Sequence, residues 1–241
     1  MDEKIFERVE KKYIINSEQR ANILSVIKNN MEEDGYHKSK VFNMYYDTDN
    51  YDLILKSIDN PDFKEKLRAR SYGGYDKVFL EIKTKMRGKE YNVGYKRRVL
   101  ITNKDFKKLV KHQKTCEEPA AQAIGTSKDL QIAKEVDYLI NFFDLKPRIL
   151  VYYDRESYVG ENHLRITFDT KLKYRDTNLK FTRKSSDPYF FNDDKNIIME
   201  IKAHGVLPLW LAQALSANKI FPSRFSKIGK IYEKLRKEQN V

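Results

Sequence analysis

The sequence predicts an α+β protein built on a closed antiparallel β-barrel of about eight strands, with helices packed outside it. Segments rich in Tyr, Phe, Val and Ile recur along the chain, and ionic residues recur within them at a spacing of two. The stretches between them carry apolar residues at helical spacing. The strand-like segments are residues 6–15, 41–47, 65–72, 77–85, 92–101, 147–158, 163–171 and 196–203.

Turn and capping residues indicate how these strands are connected. Gly88 lies between segments 77–85 and 92–101, so these two form a predicted hairpin. Residues 183–195 are a predicted loop. Helices are expected where a capping residue precedes an apolar face. The predicted caps are Ser17, Asn103, Ser127 and Ser223. The helix capped by Ser223 is predicted to span about 223–238, and a further predicted helix covers 207–218.

Composition narrows the class of protein. The chain has 241 residues, of which 40% are hydrophobic, and we expect a single domain over residues 1–241. Its one cysteine, Cys116, excludes an intramolecular disulfide, and its four histidines lack zinc-ligand spacing. No stretch approaches the roughly 18–20 apolar residues of a membrane span, and the first residues lack a signal-peptide core. We therefore expect a cytoplasmic chain without a membrane span.

The net charge of +12 comes from 47 Lys and Arg against 35 Asp and Glu. Such a surplus indicates a polyanionic partner if the cations share one surface. Lysines spread over solvated faces would give the same total. The positions of the charges along the chain therefore decide between a polyanion-binding surface and scattered surface lysines.

Charged residues alternate with apolar ones along the predicted strands. Residues i and i+2 of a strand point to the same face, and the apolar Leu80 and Ile82 flank Glu81. A sheet with one packed and one solvated face gives this alternation, whereas a barrel covered by helices places the charged face inside. The pairs are Glu10 with Lys12, Arg68 with Arg70, Glu81 with Lys83, Lys96 with Arg98 and Glu200 with Lys202, and Arg165 shares a face with Asp169.

A charged interior needs a ligand, because burying unpaired ions costs several kcal/mol each. Arginine forks match phosphate oxygens and lysine supplies point charge, so the expected ligand is rich in phosphate. Carboxylates would repel that ligand unless a metal bridges them. Glu10, Glu81 and Glu200 are therefore the metal candidates, and a hard oxygen site of this kind suits Mn²⁺ or Mg²⁺.

Nine pieces of the sequence resemble the VTC-type polyphosphate polymerase domain of the triphosphate tunnel metalloenzyme (CYTH-like) superfamily. The resemblance covers most of the chain and is carried by the order of the pieces and by the terminal FSK element. The pieces are FERVEKKYII at 6–15, FNMYYDT at 42–48, KLRARSYG at 66–73, FLEIKTK at 79–85, GYKRRVLI at 94–101, VYYDRESY at 151–158, LRITFDT at 164–170, IIMEIKAHG at 197–205 and RFSKIGK at 224–230.

The resemblance implies a tunnel lined by cations that bind phosphate, with the metal on Glu200. It also implies a basic pair, Arg224 and Lys227, on one face of the last helix near the transferred phosphate. The implied tunnel cations are Lys12, Arg68, Arg70, Lys83, Lys96, Arg155 and Arg165, to which the charge pattern adds Arg98 and Lys202 as phosphate ligands. Lys227, Arg224, Lys83, Arg155 and Arg165 are the expected catalytic residues.

The chain departs from the family pattern at two positions. Arg224 stands where the family usually has lysine, and because arginine stays protonated, a nucleophilic amine at this position is in doubt. The hydrolytic CYTH-like members open with ExExK, whereas the matching residues here are Arg8, Glu10 and Lys12. Loss of the first acid favours the polymerase branch over the hydrolases.

The resemblance therefore implies a phosphotransferase that moves the γ-phosphate of ATP to a growing polyphosphate chain. Two alternatives stay open: a hydrolase of triphosphate or tripolyphosphate, and a non-catalytic domain that binds polyphosphate or inositol phosphates. A nucleic-acid partner is disfavoured because a closed barrel cannot admit a duplex. A membrane-protein partner for chain export is compatible with this interpretation. Tyr45, Tyr46, Tyr152 and Tyr153 are expected only to pack.

Overall fold

The computed structural model describes residues 8–59, 62–73, 77–88, 92–102, 106–107, 127–184, 186–190 and 196–239. Strands and helices within these ranges match the predicted class. The strands are β1 Arg8–Ile15, β2 Glu32–Asp47, β3 Phe63–Tyr72, β4 Lys77–Arg87, β5 Asn92–Thr102, β6 Lys146–Val159, β7 Arg165–Arg175 and β8 Ile197–His204. The helices are α1 Ser17–Ile27, α2 Asp52–Ile58, α3 Ser127–Phe142, α4 Leu209–Ala217 and α5 Lys227–Gln239. The predicted cap Asn103 lies outside the described residues.

The eight strands form one hydrogen-bonded sheet in the order β1-β8-β7-β6-β2-β3-β4-β5. The ladders β1–β8, β7–β8, β2–β3, β3–β4 and β4–β5 are antiparallel, and the last of these is the predicted hairpin. This confirms the α+β class and the antiparallel sheet. Within the described ranges, no hydrogen-bonded pairing joins the two end strands β1 and β5, so closure of the barrel stays a prediction.

The chain divides into two compact units. Unit 1 comprises Met1–Lys40, Tyr153–Lys173 and Tyr189–Phe225, and unit 2 comprises Val41–Tyr152, Tyr174–Pro188 and Ser226–Val241. Strands β2, β6 and β7 each contribute residues to both units. The single-domain assignment stays a prediction.

The core of unit 2 lies on one face of strands β3, β4 and β5. Leu67, Leu80, Ile82 and Val99 are at most 1% exposed and cluster with the α3 residue Val136. Because strand side chains alternate, burial of these positions leaves the residues between them on the opposite face. That opposite face carries the predicted charges of β3, β4 and β5.

The core of unit 1 follows the same rule on β1, β7 and β8. Tyr13, Ile166 and Met199 are buried together with Ile23 of α1 and Leu211 of α4. The intervening positions of these strands therefore share the other face, where the register sets Lys12 opposite Glu200 and Glu10 opposite Lys202. The predicted i, i+2 pattern thus describes a two-faced sheet in both units.

Three local predictions differ from the structure. Asn16, not Ser17, caps α1, because its Oδ1 accepts the Gln19 N–H at 2.8 Å and Gln19 Oε1 accepts the Asn16 N–H at 3.1 Å. Strand β2 begins at Glu32, well before the predicted start at residue 41. The prediction missed the first half of the strand because that half is mostly polar and gives no apolar alternation. Helix α2 was not predicted, because seven residues are too few for a periodic pattern.

Buried Asp47 positions the unpredicted helix α2. Its Oδ1 accepts the Leu53 N–H and its Oδ2 accepts the Ile54 N–H, each at 2.9 Å. A carboxylate at the N-terminal end of a helix satisfies amides that have no partner within the helix.

Among the residues that the structure describes, no helix is long and apolar enough to cross a membrane.

Candidate functional site

Unit 2 contains a group of ion pairs centred on Glu81, which we call the Glu81 cluster: Arg68, Arg70, Glu81 and Lys96. Arg68 Nη2 lies 2.6 Å and Arg70 Nε 3.8 Å from Glu81 Oε2, and Lys96 Nζ lies 2.6 Å from Glu81 Oε1. Glu81 is 1% exposed, whereas the side chain of Lys96 is 40% exposed. The cluster therefore reaches from a buried acid to the surface of the charged sheet face.

The cations outweigh burial in setting the charge of Glu81. Burial acts to raise the pKa of this carboxyl, but Arg68, Arg70 and Lys96 lower it to about 2. Glu81 is therefore ionised at neutral pH, and three cations face one carboxylate. The surplus positive charge suits an anionic ligand.

Two tyrosines belong to the surroundings of this cluster. Arg68 Nη1 donates to Tyr45 Oη at 3.5 Å, and Arg70 Nη1 donates to Tyr72 Oη at 3.1 Å. Burial acts to raise the pKa of Tyr45, but Arg68 and Arg70, with a smaller effect of Lys227, lower it. The prediction that Tyr45 only packs is therefore wrong, since its hydroxyl lies among the cations.

Unit 1 contains a second buried group, which we call the Arg155 cluster: Arg155, Asp169 and Glu200. Arg155 donates from Nε to Asp169 Oδ1 at 2.6 Å and from Nη2 to Asp169 Oδ2 at 2.8 Å. Arg155 Nη2 lies 3.7 Å from Glu200 Oε2. The Tyr153 ring centroid lies 5.3 Å from the guanidinium carbon, so Tyr153 also does more than the predicted packing.

Three other predicted cations of unit 1, Lys12, Lys202 and Arg165, pair with acids. Glu10 lies 3.5 Å from Lys12 and 3.7 Å from Lys202, measured between carboxylate oxygen and ammonium nitrogen. Arg165 Nη2 donates to Asp34 Oδ2 at 2.6 Å. Asp34 lies in the polar first half of β2, where the sequence gave no strand signal.

Thr167 adds an unsatisfied oxygen beside Glu200. The register of β7 and β8 sets Thr167 directly opposite Glu200, and Thr167 is 3% exposed. Its Oγ1 is buried, and over the described ranges it has no hydrogen-bond partner. Among the described residues, no group of three or more His, Cys, Asp or Glu side chains is arranged so that it could hold a metal ion. One carboxylate with a neighbouring hydroxyl fits a hard cation that takes its other ligands from phosphate and water.

The C-terminal basic pair is arranged differently from the prediction. Helix α5 begins at Lys227, and Ser226 caps it, because Ser226 Oγ accepts the Gly229 N–H at 3.3 Å. Arg224 is exposed and precedes the helix, so the prediction that Arg224 and Lys227 share one helix face is wrong. The N–H of Ser223, the predicted cap, instead donates to the Lys12 carbonyl at 2.7 Å.

Lys83 and Arg98 lie on the same face of unit 2 as the Glu81 cluster. The register sets Lys83 opposite both Lys66 and Lys96, and it sets Arg98 opposite Glu81. Lys83 is exposed, and the guanidinium carbon of Arg98 lies 4.9 Å from the Phe79 ring centroid.

Sequence reasoning missed three polar residues near the predicted site residues and assigned Tyr45 to packing alone. Asn43 accepts a hydrogen bond from Arg70 at 2.8 Å, Asp34 accepts one from Arg165, and Thr167 lies opposite Glu200. A signal existed in FNMYYD, where Phe42, Met44 and Tyr46 enter the core and Asn43 and Tyr45 alternate with them. No comparable alternation surrounds Asp34.

The sequence matches a known protein family over most of its length. The model of the VTC domain family matches residues 7–236. The chain therefore belongs to the VTC domain family. Subunit 4 of the vacuolar transporter chaperone complex of Schizosaccharomyces pombe is 27% identical over 144 residues, which are 55% of this chain and 20% of that protein. The chain thus matches only about a fifth of that relative's length.

Two solved structures resemble the chain at low sequence identity. HpAC1 from Hippeastrum, for which a dominant triphosphatase activity is described, superposes with a TM-score of 0.55 at 12% identity, over 95% of this chain and 96% of that chain. PH1819 from Pyrococcus horikoshii OT3 gives a TM-score of 0.48 at 16% identity, over 95% and 99% of the two chains. The likeness to HpAC1 concerns the fold alone.

Proposed function

We propose that this protein is a metal-dependent polyphosphate polymerase that transfers the γ-phosphate of ATP to a growing polyphosphate chain. Membership of the VTC domain family over residues 7–236 carries the proposal.

The S. pombe relative, a subunit of a vacuolar transporter chaperone complex, supports a link to a larger assembly. We propose a membrane-protein partner for export of the polyphosphate chain. We also propose that the chain acts in the cytoplasm.

The charged sheet faces support a phosphate ligand. The Glu81 cluster has more cations than acids, and arginine forks match phosphate oxygens. A closed tunnel around one ligand is part of this proposal. The proposed phosphate ligands are Lys12, Arg68, Arg70, Lys83, Lys96, Arg98, Arg155, Arg165, Lys202, Arg224 and Lys227.

Glu200 is the proposed protein ligand of Mn²⁺ or Mg²⁺. Its low exposure and the unsatisfied Thr167 hydroxyl opposite it support this choice. Glu10 is a second candidate. Glu81 is the weaker candidate, because three cations already contact it. When bound, the cation would neutralise phosphate oxygens.

The proposed reaction is a single in-line displacement. A terminal oxygen of the growing chain attacks the γ-phosphorus of ATP, the bond to the bridging β–γ oxygen breaks, and ADP leaves with that oxygen. Phosphoryl transfer spreads charge over the transferred group, so the protein's task is mainly positioning and neutralisation. We assign that neutralisation to Lys83, Arg155, Arg165, Arg224 and Lys227.

Triphosphate hydrolysis is the second candidate function. The shared fold with HpAC1, for which triphosphatase activity is described, favours it. Incubation of the purified protein with ATP and Mn²⁺ or Mg²⁺, followed by gel separation, distinguishes the functions. A polymerase yields long polyphosphate, a hydrolase yields free phosphate only, and a receptor domain leaves ATP unchanged.

A further inference from the structure

Unit 1 contains a cavity of about 1260 Å³ whose lining includes no residue of the Arg155 cluster. Four segments line it: the end of α1 with the residues that follow, the connection between β6 and β7, the end of β8, and the start of α4. Leu164 and Ala203 of the unit 1 core form part of its wall, and Met31 and Trp210, which pack against that core, form another part. The cavity therefore has an apolar wall on the helix-covered side of the sheet.

The charges of this cavity differ from those of the Glu81 cluster. Among the described residues that line it, Lys28 is the only lysine or arginine, and Glu32 and Glu161 are the acids. A phosphate ligand needs a surplus of cations, whereas a lining with more acids than lysines attracts a cation. The uncharged polar residues and histidines of the lining are Asn29, Asn30, Asn162, His163 and His204.

Two histidines that are far apart in sequence lie together at this cavity. The ring centroids of His163 and His204 are 5.2 Å apart, and the ring planes are inclined by 39°, so the rings are not stacked face to face. With metal–nitrogen bonds of about 2.1 Å in tetrahedral geometry, two imidazoles on one ion have centroids about 5 Å apart. The observed separation of the two rings matches that arrangement.

The backbone around His163 is unusual. Asn162 and His163 both have left-handed backbone angles, with φ of 50° and 58°, within the single 3₁₀ turn Glu161–His163. Residues other than glycine adopt this conformation at a cost, and such positions cluster at ligand sites. Gly160 lets the turn approach Met31 closely, because a Cβ there would lie 3.2 Å from Met31 Cγ. The turn thus holds His163 beside the end of β8.

We infer that His163 and His204 together bind a divalent transition metal of the Zn²⁺, Ni²⁺ or Cu²⁺ type. Imidazole nitrogen suits these ions, whereas Mg²⁺ and Mn²⁺ prefer oxygen ligands. Because no third His, Cys, Asp or Glu of the described residues is arranged with the pair, water takes the remaining coordination positions. The site is separate from the proposed hard-metal site at Glu200, and the inference does not rest on the proposed function.

Calorimetric titration of the free protein with Zn²⁺ tests the inference. We expect a Zn²⁺ site whose affinity falls about tenfold or more in His163→Asn and in His204→Gln, because each change removes one of two protein ligands. Asparagine tolerates the left-handed backbone of residue 163, so that variant keeps the turn. His37→Gln is the matched control, since His37 does not line the cavity and its Nδ1 lies 3.1 Å from the Ser157 carbonyl oxygen. Glu200→Gln should bind Zn²⁺ as the wild type does.

Fluorescence of Trp210 reports where the metal binds. Trp210 is the only tryptophan of the chain, and it lines the same cavity as the two histidines. Cu²⁺ quenches a nearby indole, and sites of this kind bind it more tightly than Zn²⁺. We expect Cu²⁺ to quench the wild type and His37→Gln, and to quench the double variant His163→Asn/His204→Gln much less. A large excess of Mg²⁺ should not reverse the quenching.

Four outcomes would overturn the inference. Cu²⁺ that leaves the fluorescence of the wild type unchanged does so without reference to any variant. Equal Zn²⁺ affinity in the wild type and in both cavity variants would show that the two histidines are not ligands. An equal loss of affinity in His37→Gln would show that binding is not confined to the pair, and displacement of Zn²⁺ by excess Mg²⁺ would assign the ion to carboxylates. All four leave the proposed function intact, because neither histidine is a proposed phosphate or Mn²⁺ ligand.

Discussion

Arg155 holds Asp169 with two parallel hydrogen bonds, at 2.6 Å and 2.8 Å, and the Asp169 side chain is fully buried. The same guanidinium lies 3.7 Å from Glu200, so one buried cation contacts two acids on neighbouring strands. This arrangement fixes the position of a proposed phosphate ligand next to the proposed metal ligand.

Asp169→Asn should destabilise unit 1 strongly. Removing one partner of a buried ion pair leaves an uncompensated charge, and we expect a loss of about 3 kcal/mol in the free energy of unfolding, measured with urea. Asp154→Asn is the control, because its side chain is 29% exposed and lies 3.7 Å from Lys171. That change should cost less than about 1 kcal/mol. Equal losses in both variants would contradict the structural role of the pair.

The Glu81 cluster predicts a specific acid sensitivity. The pKa of Glu81 falls from its ordinary value of 4.5 to about 2 on folding, so its ionised form stabilises the folded state. This contribution, about 3 kcal/mol, is complete above pH 4.5 and is lost as the pH falls towards 2. Urea unfolding of wild type and Glu81→Gln over this pH range measures it. The stability difference between the two should shrink as the pH falls, and a constant difference would argue against the lowered pKa.

Glu200→Gln should abolish metal-dependent turnover while leaving the fold intact. The amide keeps the shape of the side chain and removes its charge, so Mn²⁺ should bind more weakly in a calorimetric titration with tripolyphosphate present. Glu161→Gln is the control, since Glu161 is exposed. Wild-type activity and wild-type Mn²⁺ affinity in Glu200→Gln would rule out the role.

Lys227 is predicted to stabilise the transferred phosphoryl group by charge alone. Loss of such a cation can cost roughly 10³–10⁵ in rate, so Lys227→Ala should be severely impaired, whereas Lys227→Arg should keep partial activity. Lys230→Ala is the control on the same helix, because Lys230 is half exposed and pairs with Glu233 at 2.7 Å. Rapid-quench trapping of a phosphorylated lysine on the wild-type protein would contradict this prediction.

The alternation of charge was predictable because side-chain direction in a strand has a strict period of two. Arg68, Glu81 and Lys96 lie on one face of unit 2 as the sequence indicates, and Lys12 and Glu200 do so in unit 1. The partners of these residues were harder to predict. Asp34 reaches Arg165 from a polar stretch with no apolar alternation, and no local pattern marks such a contact.

Helix starts show how long-range contacts override local signals. Ser223 and Ser226 are both acceptable capping residues by type. The N–H of Ser223 donates to the Lys12 carbonyl, which holds this segment beside β1, and the helix begins only after Ser226. Closure of the sheet into a barrel would likewise depend on strands far apart in sequence, which the pattern within each strand does not encode.

The partition of phosphate label from ATP tests the polymerase proposal most directly. The protein is incubated with Mn²⁺ and with ATP labelled at either the γ- or the α-phosphate, and the products are separated by chain length. We predict that γ-label enters a ladder of chains that an exopolyphosphatase degrades, while α-label stays in ADP. Release of the γ-label only as free phosphate, with no labelled chains at any time point, would contradict the proposal.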